Sequence, residues 1–370
     1  MAHVLVTGGA GFIGSHLVDA LLREGHRVRV LDCLDRQVHE GRHPDYLNAN
    51  AEYQWGDVRN RAALRTALKD IEVVFHEAAV VGVGQSMYEI ERYVDANVRG
   101  TAVLLDVIVN DRLPIKKLIV ASSMSIYGEG QYRCSQCGPV FPSLRDDAQL
   151  RAQQWEMRCP RCRQPVATEL TAESKPLAPT SVYAVTKRDQ EELCLSVGRS
   201  YHIPTVALRY FNVYGPRQAL SNPYTGVCAI FSARIKNGNA PLIYEDGRQS
   251  RDFVHVSDIV QANLLVMRDS RADYEMFNVG TGAATSILDI ATVLARLYGF
   301  AKPIEPTGKF RSGDIRHCVA DVGKLRALGF SPRVQLAEGL ADLATWGRST
   351  QAEDRVEQAA KELAARGLTQ

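Results

Sequence analysis

The sequence has no long apolar run and no targeting pattern at its start. No stretch reaches the roughly 18 consecutive apolar residues of a membrane-spanning helix. Residues 1–3 lead directly into the apolar residues 4–6, without the basic segment, apolar core and cleavage site of a secretory signal. We therefore expect a cytoplasmic protein with no membrane partner.

The chain also has almost no net charge. Its 44 lysines and arginines are balanced by 42 aspartates and glutamates, which gives a formal charge of +2. Nucleic acids and anionic surfaces are bound through a concentrated positive field, and this balance does not supply one. We expect no nucleic-acid partner, and small-molecule chemistry is favoured.

What is present is the composition of a folded protein. A chain of 370 residues with 45% hydrophobic residues is large enough for more than one domain. Over the first 210 residues, short β-branched runs alternate with helical patterns, which is typical of a parallel sheet covered by helices on both faces. The predicted elements are a helix over 13–23 and strands over 4–6, 28–31, 73–75, 117–121 and 205–209. We expect this sheet to continue to about residue 210.

Changes in pattern divide the chain. Residues 128–179 interrupt the alternation with Cys, Pro, Arg and Gln, and irregular Gly and Pro clusters follow residue 210. The predicted organisation is a large α/β domain over 1–208 with an insertion over 131–175, a smaller domain over 209–348, and a tail over 349–370. The tail is rich in Ala, Glu and Arg, so we expect a solvated helix without a chemical role.

A glycine-rich turn joins the first predicted strand to the first helix, and it reads Thr7-Gly8-Gly9-Ala10-Gly11-Phe12-Ile13-Gly14. Glycines let the backbone approach a pyrophosphate, whose charge then meets the N–H groups at the helix start; glycines that serve only helix packing are the alternative. Asp32 ends the second strand near the spacing of an acid that binds the adenine ribose and repels the 2′-phosphate of NADP. The pattern predicts NAD, while Arg36 leaves NADP open.

A tyrosine and a lysine lie four residues apart on another predicted helix. Tyr183 and Lys187 would share one face of it. Such a pair is common by chance, but Ser123 ends a predicted strand upstream, where sheets of this type place their active sites. The three side chains are therefore candidates for one site.

Five motifs in order resemble one family. They are Thr-Gly-x-x-Gly-x-x-Gly at 7–14, Ser-Ser-x-x-x-Tyr-Gly at 122–128, Tyr-x-x-x-Lys at 183–187, and the segments 208–217 and 247–256. Together they resemble the extended short-chain dehydrogenase/reductases that modify nucleotide sugars, over nearly the whole chain apart from the insertion and the tail. The resemblance implies a Rossmann-type doubly wound parallel sheet that binds NAD, with a smaller α/β C-terminal domain that binds the nucleotide sugar.

The resemblance also implies a role for each matching residue. Tyr183 would be the general base, Lys187 would lower its pKa and hold the nicotinamide ribose, and Ser123 would hydrogen-bond the same sugar hydroxyl. The implied cofactor-binding residues are Gly8, Gly11, Phe12, Ile13, Gly14, Asp32, Asp57, Val58, Ala78, Asn97, Tyr183 and Lys187. The implied substrate-binding residues are Ser123, Asn212, Arg251 and Arg311. The alternatives for Asp57, Asn212 and Arg251 are a turn or cap aspartate, a turn asparagine and a surface-paired arginine.

The implied reaction begins with oxidation at C4 of the sugar, where Tyr183 would take the O4 proton while hydride leaves C4 for NAD. Dehydratases and decarboxylases of this group resemble one another in placing an acid just after the catalytic Ser or Thr. This chain has Met124 and Ser125 there, which argues against both reactions. The economical outcome is return of hydride to the other face of the 4-keto sugar, which gives the C4 epimer and regenerates NAD.

Four of the eight cysteines form two Cys-x-x-Cys pairs in the insertion: Cys134, Cys137, Cys159 and Cys162. Their spacing is close to that of zinc ribbons. Four thiolates close a tetrahedral shell around Zn²⁺ and leave no open position, so the metal would be structural. Redox disulfides or unligated thiols are the alternatives. We expect the insertion to wall the sugar pocket or to support the loop that leads to Tyr183.

The insertion narrows the resemblance. An extended epimerase with a cysteine-rich insert resembles the bacterial dTDP-L-rhamnose 4-epimerases, which make dTDP-6-deoxy-L-talose. A UDP-hexose or UDP-hexuronate 4-epimerase would share every catalytic residue named here, and a non-catalytic NAD-binding sensor whose ribbon docks a partner is the remote alternative. Family likeness also implies a homodimer through the helices that carry Asn97 and Tyr183.

Overall fold

The computed structural model describes residues 1–311 and 313–369, and one large parallel sheet lies at its centre. Within these residues the strands are β1 His3–Thr7, β2 Arg27–Asp32, β3 Glu52–Trp55, β4 Val73–His76, β5 Lys117–Ser123, β6 Gln131–Cys134, β7 Gly138–Val140, β8 Ala167–Glu169, β9 Thr205–Tyr210, β10 Asn212–Tyr214, β11 Ser250–Arg251, β12 Phe253–His255, β13 Met276–Val279, β14 Thr285–Ser286 and β15 His317–Cys318. The α-helices are α1 Phe12–Arg23, α2 Arg36–His39, α3 Arg61–Ala67, α4 Val83–Ser86, α5 Ile90–Tyr93, α6 Gly100–Asn110, α7 Asp147–Arg151, α8 Val182–Ser200, α9 Val227–Lys236, α10 Val256–Arg268, α11 Ile287–Tyr298, α12 Gly323–Arg326, α13 Leu336–Ser349 and α14 Val356–Ala365.

The central sheet has the strand order β13-β9-β5-β4-β1-β2-β3, and its strands run parallel. Every residue of β1, β4, β5 and β9 is buried, which is why these strands appear in the sequence as continuous apolar runs rather than alternations. Helices α1 and α10 pack on one face, and α3, α6 and α8 pack on the other. The predicted Rossmann-type doubly wound sheet is confirmed.

The sheet does not end near residue 210, so that prediction is wrong. Strand β13 pairs in parallel with β9, with Phe277 opposite Leu208, and the preceding helix α10 covers the sheet beside α1. Four residues between turns are too short to show a period, so the pattern of the sequence could not reveal this strand. Residues 253–280 thus return to the large sheet although they lie beyond the boundary predicted at 208.

A second apolar core lies between α9, α11 and α13. It is formed by residues such as Phe231, Leu294 and Leu343, and the short sheets β10-β12 and β14-β11-β15 connect it to the large sheet. The insertion forms a three-stranded antiparallel sheet, β7-β6-β8, with a small apolar cluster of its own. A cluster of this size supplies little burial, so the insertion needs other stabilisation.

The tail forms helix α14, but the prediction that it is fully solvated is wrong. Ala359 and Leu363 are buried, four residues apart on one face of the helix. The expectation of a solvated tail rested on its Ala, Glu and Arg content and not on the helical spacing of its apolar residues 356, 359, 360 and 363. Among residues 1–311 and 313–369, no helix is long and apolar enough to cross a membrane.

Candidate active site

A cleft of about 660 Å³ lies at the carboxyl ends of the central strands. Its lining includes Gly8 after β1, Glu77 after β4, Ser123 at the end of β5 and Tyr210 at the end of β9, together with residues of the second core. Doubly wound sheets bind ligands at this edge, where neighbouring connections diverge. The cleft is therefore the candidate active site.

The glycine-rich turn contains contacts that exclude larger residues. Gly8 has a φ of +70°, and a Cβ on it would lie 2.8 Å from the Ala78 nitrogen. A Cβ on Gly14 would lie 2.3 Å from the Gly8 oxygen. Gly11 precedes α1, and no described side chain caps that helix start, so its first N–H groups can meet a diphosphate. The part of this turn that lines the cleft is Gly8, Gly11, Phe12, Ile13 and Gly14.

Asp32 lies at the end of β2 with its carboxylate beside this turn. One oxygen accepts a hydrogen bond from the Ala10 N–H at 3.0 Å, and the other accepts from the Leu34 N–H at 2.8 Å. Each oxygen keeps a further lone pair for a ribose hydroxyl. Arg36 is exposed and is not part of the cleft lining in the described chain. The arrangement fits NAD.

Asp57, Val58 and Ala78 also line the cleft. The Asp57 carboxylate accepts from the Arg59 side chain and from the Arg59 N–H, and these hydrogen bonds hold the pKa of Asp57 below its usual value. This is the geometry of the turn-aspartate alternative, although the residue also faces the cleft. Its charge is largely met by Arg59, so Asp57 is placed for a neutral contact rather than for a cation.

Asn97 lies behind the cleft rather than in its lining. Its side-chain oxygen accepts from the Val80 N–H at 2.8 Å, and its nitrogen donates to the Val80 carbonyl at 3.1 Å and to Thr186 Oγ1 at 3.0 Å. The buried amide therefore ties the loop after β4 to α8. Asn97 therefore holds the backbone at Val80, which lines the cleft, and does not line the cleft itself.

Ser123, Tyr183 and Lys187 come together in the cleft. The Tyr183 N–H donates to Ser86 Oγ at 3.0 Å, which fixes the first turn of α8 against the loop after β4. One turn later, the Lys187 ammonium donates to the Ala121 carbonyl at 2.9 Å, on the strand that ends at Ser123. The predicted catalytic residues are thus brought together by α8 and β5.

The protonation of these groups differs from the expectation in one respect. Burial raises the pKa of the Tyr183 phenol to about 12, against the lowering effect of a hydrogen bond with Ser123. The expected lowering by Lys187 is not seen in this structure, because burial dominates at Tyr183 and the ammonium is directed at the Ala121 carbonyl. Burial also lowers the pKa of Lys187 to about 8.

Glu77 is a carboxyl group in the cleft that the sequence analysis missed. The Tyr210 hydroxyl donates to it at 2.8 Å, and the Asn263 amide donates to Tyr210 at 2.7 Å. Burial raises the pKa of Glu77 to about 7, while its negative charge raises the pKa of Lys187. The only signal in the sequence was an acid directly after a buried strand, at the edge where ligands bind.

Two arginines bring positive charge to the other end of the cleft. The Arg251 guanidinium donates only to backbone carbonyls among the hydrogen bonds of the described chain, those of Ser250, Ile315 and Arg316, so no carboxylate neutralises it there. Arg311 donates to the Asp314 carboxylate at 2.8 Å and stacks on a tyrosine ring. Arg251 therefore has charge to offer a diphosphate, and Arg311 is already paired.

Three buried amide oxygens in this part of the cleft have no hydrogen-bond partner among the described residues. They belong to Asn212, Gln218 and Gln249. A buried acceptor left unpaired costs about 1–3 kcal/mol, so such groups mark a surface that binds a polar ligand. Sequence reasoning identified Asn212 and missed both glutamines, although Gln249 lies within the motif segment 247–256 and Gln218 directly follows the segment 208–217.

A buried polar network holds the catalytic elements together. Glu191 on α8 accepts from Ser122 Oγ at 2.6 Å and pairs with Arg209 on β9. The same guanidinium donates to the Tyr127 hydroxyl at 2.7 Å, which donates to Asn278 on β13. The network joins β5, α8, β9 and β13, and breaking a buried ion pair of this kind costs about 3–5 kcal/mol.

The four insertion cysteines form one cluster. The sulfur atoms of Cys134, Cys137, Cys159 and Cys162 all lie within 4.8 Å of one another. Each pair lies at a tight turn, the first where β6 turns into β7 and the second where the Cys159 N–H donates to the Gln164 carbonyl at 2.8 Å. Four sulfur atoms at such distances can surround a single tetrahedral ion.

The insertion is joined to the cleft by buried ion pairs. Arg145 of the insertion makes two hydrogen bonds, at 2.8 and 2.9 Å, to the carboxylate of Glu245, which lines the cleft. Arg316 is fully buried and pairs with Glu245, with Asp246 and with Glu156 of the insertion. The insertion therefore supports the loop that carries Glu245 at this end of the cleft.

Comparisons with known proteins agree with this geometry. Residues 4–144 and 159–280 match the family described as NAD-dependent epimerase/dehydratase. The chain is 37% identical to a dTDP-L-rhamnose 4-epimerase from Burkholderia thailandensis, over 93% of this chain and 94% of that protein. Among solved structures it is similar to a UDP-glucose 4-epimerase from Thermotoga maritima with UDP-glucose, at 32% identity and a TM-score of 0.76, over 94% and 98% of the two chains. A UDP-glucuronic acid 4-epimerase from Bacillus cereus, in complex with UDP-glucuronic acid and NAD, gives 28% identity and a TM-score of 0.76, over 94% and 99%.

Proposed function

The chain belongs to the NAD-dependent epimerase/dehydratase family and is a nucleotide-sugar 4-epimerase, and we propose that it interconverts dTDP-L-rhamnose and dTDP-6-deoxy-L-talose. The observation that carries the proposed sugar is the 37% identity, along nearly the full length of both chains, to a protein named for that substrate. Val81 and Val83, which expose aliphatic side chains in the cleft, support it because they suit a methyl group at C6 better than a carboxylate.

The glycine-rich turn and Asp32 are proposed to hold NAD, which when bound supplies the acceptor and donor of hydride at C4. The open N–H groups at the start of α1 bind the diphosphate, and Asp32 accepts from the adenine ribose. Arg251 and Asn212 bind the diphosphate of the sugar nucleotide. The glycine-rich turn and Asp32 lie at one end of the cleft, and Arg251 and Asn212 lie at the other. The space beside Tyr183 is left for the hexose.

Tyr183 is proposed to accept and return the O4 proton. Ser123 shares a hydrogen bond with the same hydroxyl, and the Lys187 ammonium favours the phenolate electrostatically once the site is assembled. Met124 and Ser125, which follow Ser123, carry no acid for elimination or decarboxylation. Glu77 is an acid in the same cleft. Because it accepts a hydrogen bond from Tyr210 and raises the pKa of Lys187, its proposed role is to keep that lysine protonated.

A UDP-hexose or UDP-hexuronate is the second candidate substrate, because the solved relatives named for UDP-glucose and UDP-glucuronic acid share the fold along the whole chain. The test incubates purified protein with dTDP-L-rhamnose, UDP-glucose and UDP-glucuronate in parallel, without added nicotinamide, and follows each by proton NMR. We expect a C4 epimer of dTDP-L-rhamnose first. Faster turnover of either UDP-sugar would overturn the proposed sugar and keep the reaction.

Replacing Glu77 with glutamine is expected to shift the alkaline limb of kcat toward lower pH by about one unit. Burial lowers the pKa of Lys187 to about 8, and the Glu77 carboxylate raises it. With a pKa of about 7, that carboxyl is charged across the range in which the lysine loses its proton. Removing the Glu77 charge lowers the pKa of Lys187. The lysine then loses its proton, and the enzyme its activity, at a lower pH than in the wild type.

The measurement is the pH profile of kcat from pH 6 to 10 for the E77Q and Y210F variants and the wild type. Y210F keeps the Glu77 carboxyl but removes a hydrogen bond that lowers its pKa, so its alkaline limb is expected to move toward acid by less than that of E77Q. An E77Q limb that coincides with the wild-type limb would contradict the role of Glu77.

The cysteine cluster is proposed to bind one structural zinc ion. Four sulfur ligands favour Zn²⁺ over hard cations, and a shell closed by Cys134, Cys137, Cys159 and Cys162 leaves no coordination position for substrate. The small apolar cluster of the insertion supports this, since such a segment needs a metal or disulfides to stay folded. The ion would act through the ion pairs that link the insertion to Glu245.

The protein is proposed to form a homodimer through α5, the following π-helix Val94–Arg99, and α8. Ile90, Val94 and Val185 on these elements are exposed by 53%, 43% and 43%. Apolar side chains grouped on adjacent helices suit a self-complementary interface. The same helices carry Asn97 and Tyr183, so association of two subunits through them would stabilise the elements that position these residues.

A further inference from the structure

The C-terminal residues 350–369, here called the C-terminal strap, lie along the cleft. The strap is fastened to the end of α9 by Asp354, whose carboxylate accepts from Asn239 at 2.7 Å and pairs with the Arg234 guanidinium at 3.3 Å. Arg355 pairs with Glu40, in the segment after β2, at 3.6 Å. The strap therefore begins on the smaller domain and reaches the adenine side of the cofactor region.

Helix α14 of the strap presents an apolar face to the cleft. Val356, Ala359, Ala360 and Leu363 line it, at the i, i+3, i+4, i+7 spacing of one helical face. The Leu363 side chain lies 3.4 Å from where a Cβ on Gly84 would be, so the two segments are in close contact there. Because Gly84 lies two residues before the hydroxyl that binds the Tyr183 N–H, this wall stands close to the catalytic tyrosine.

The opposite edge of α14 joins the two sides of the cleft through hydrogen bonds. Glu362 accepts from the hydroxyls of Tyr88 and Tyr224, each at 3.1 Å, and the two hydroxyls lie 2.6 Å apart. Tyr88 follows α4 on the large domain, and Tyr224 lies in a loop that lines the cleft from the smaller domain. The Arg366 guanidinium stacks over the Tyr88 ring at 4.1 Å.

The end of the strap returns to the substrate end of the cleft. Thr369 forms an isolated antiparallel bridge with Arg311. From Glu40 to Arg311, the strap thus follows the cleft from its cofactor end to its sugar end. A segment that contacts both domains and both ends of a cleft closes it more completely than either domain alone.

We propose that the C-terminal strap is a wall of the substrate-binding cleft that retains the 4-keto sugar while it turns over. This rests on the proposed function. Oxidation moves two electrons and a proton from C4 to the cofactor, and the O4 proton goes to Tyr183. The ketone must then rotate without leaving, since its escape strands the cofactor in the reduced form. An aliphatic wall blocks escape and offers the sugar no hydrogen bonds that would oppose rotation.

The test uses the full chain with E362A and L363A combined, which removes both the hydroxyl contacts and the apolar contact of the strap. We expect the nucleotide-sugar KM to rise about tenfold and reduced nicotinamide to accumulate about tenfold faster per turnover, with progress curves that slow as it does. The matched control is K361A, an exposed position on the same helix, for which wild-type KM and linear progress are expected.

Absorbance and fluorescence of reduced nicotinamide report escape directly, and calorimetric melting confirms that each variant is folded. A second variant that ends at Ser349 removes the strap entirely and is expected to show the same two effects more strongly. Unchanged KM and linear progress without reduced nicotinamide, in folded variants, would overturn the proposal.

The affinity for dTDP and UDP, measured by calorimetry, separates failure of the strap from failure of the proposed function. If the wild type converts none of the sugars tested, the proposed function fails, but the strap is still expected to strengthen binding of the preferred nucleotide about tenfold relative to the double variant. Equal affinity in the wild type and the double variant would overturn the role of the strap whatever the sugar.

Discussion

Replacing Tyr183 with phenylalanine is expected to lower kcat about 10³-fold while the protein stays folded and keeps its NAD. The ring position is fixed by the Tyr183 N–H bond to Ser86 and by an edge-to-face contact with Tyr93, and the substitution keeps both. What it removes is the hydroxyl that is proposed to accept the O4 proton. The measurement combines kcat with the NAD content of the purified variant and its melting temperature.

The matched control is Y93F, which removes a buried hydroxyl from the neighbouring ring. That hydroxyl donates to Gln85 and does not belong to the proposed reacting set, so the variant is expected to keep most of its activity. A Y183F protein that turns over at more than a tenth of the wild-type rate would contradict the assignment of the base. Such a result would also favour the alternative of a non-catalytic NAD-binding sensor.

Replacing Cys159 with serine is expected to remove the zinc, to lower the melting temperature by about 5 °C or more, and to raise the nucleotide-sugar KM. Cys159 is fully buried in the insertion, and a shell that loses one thiolate no longer closes. The KM effect follows because the insertion carries Arg145 and Glu156, which hold Glu245 and Arg316 at the substrate end of the cleft. Metal analysis, calorimetric melting and kinetics measure the three effects.

The matched control is C194A, a buried cysteine on α8 that lies outside the cluster. It is expected to keep one equivalent of zinc even if its melting temperature falls. Wild-type protein that contains no zinc and has no titratable thiols in the insertion would favour the disulfide alternative. Loss of zinc from C159S with unchanged stability and KM would contradict the link between the insertion and the cleft.

Much of the fold could be predicted because strong local signals carried it. The runs that became β1, β4, β5 and β9 are fully buried, so their central residues are apolar on both faces and stand out in the sequence. The glycine-rich turn and Asp32 are tied to one backbone geometry, in which a larger residue at Gly8 or Gly14 would clash. Where the chemistry permits few residue types, the sequence is informative.

The missed features depend on contacts between distant parts of the chain. Strand β13 is defined by its pairing with β9, and Leu363 is buried against Gly84, in a distant part of the chain. Arg145 resembles a surface arginine until Glu245 is placed beside it. The pairing of β13 and of Arg145 leaves no motif in the local sequence, and the tail was expected to be solvated from its composition alone.

The site residues divide in the same way. Tyr183, Lys187 and Ser123 were identified because their motif is short and ordered, and the structure brings them together. Glu77 was missed because one acid after a strand is a weak signal. The direction of the Tyr183 pKa could not be read from the motif, since it depends on how deeply the phenol is buried.

The most direct test of the central claim is the isotope content at C4 after conversion of dTDP-L-rhamnose in deuterated water, without added nicotinamide. The proposed mechanism removes hydrogen from C4 and returns it to the same carbon without exchange with solvent. Proton NMR is therefore expected to show the C4 epimer with protium at C4. Deuterium at C4, or conversion that requires added nicotinamide in proportion to product, would contradict epimerisation through a retained 4-keto sugar.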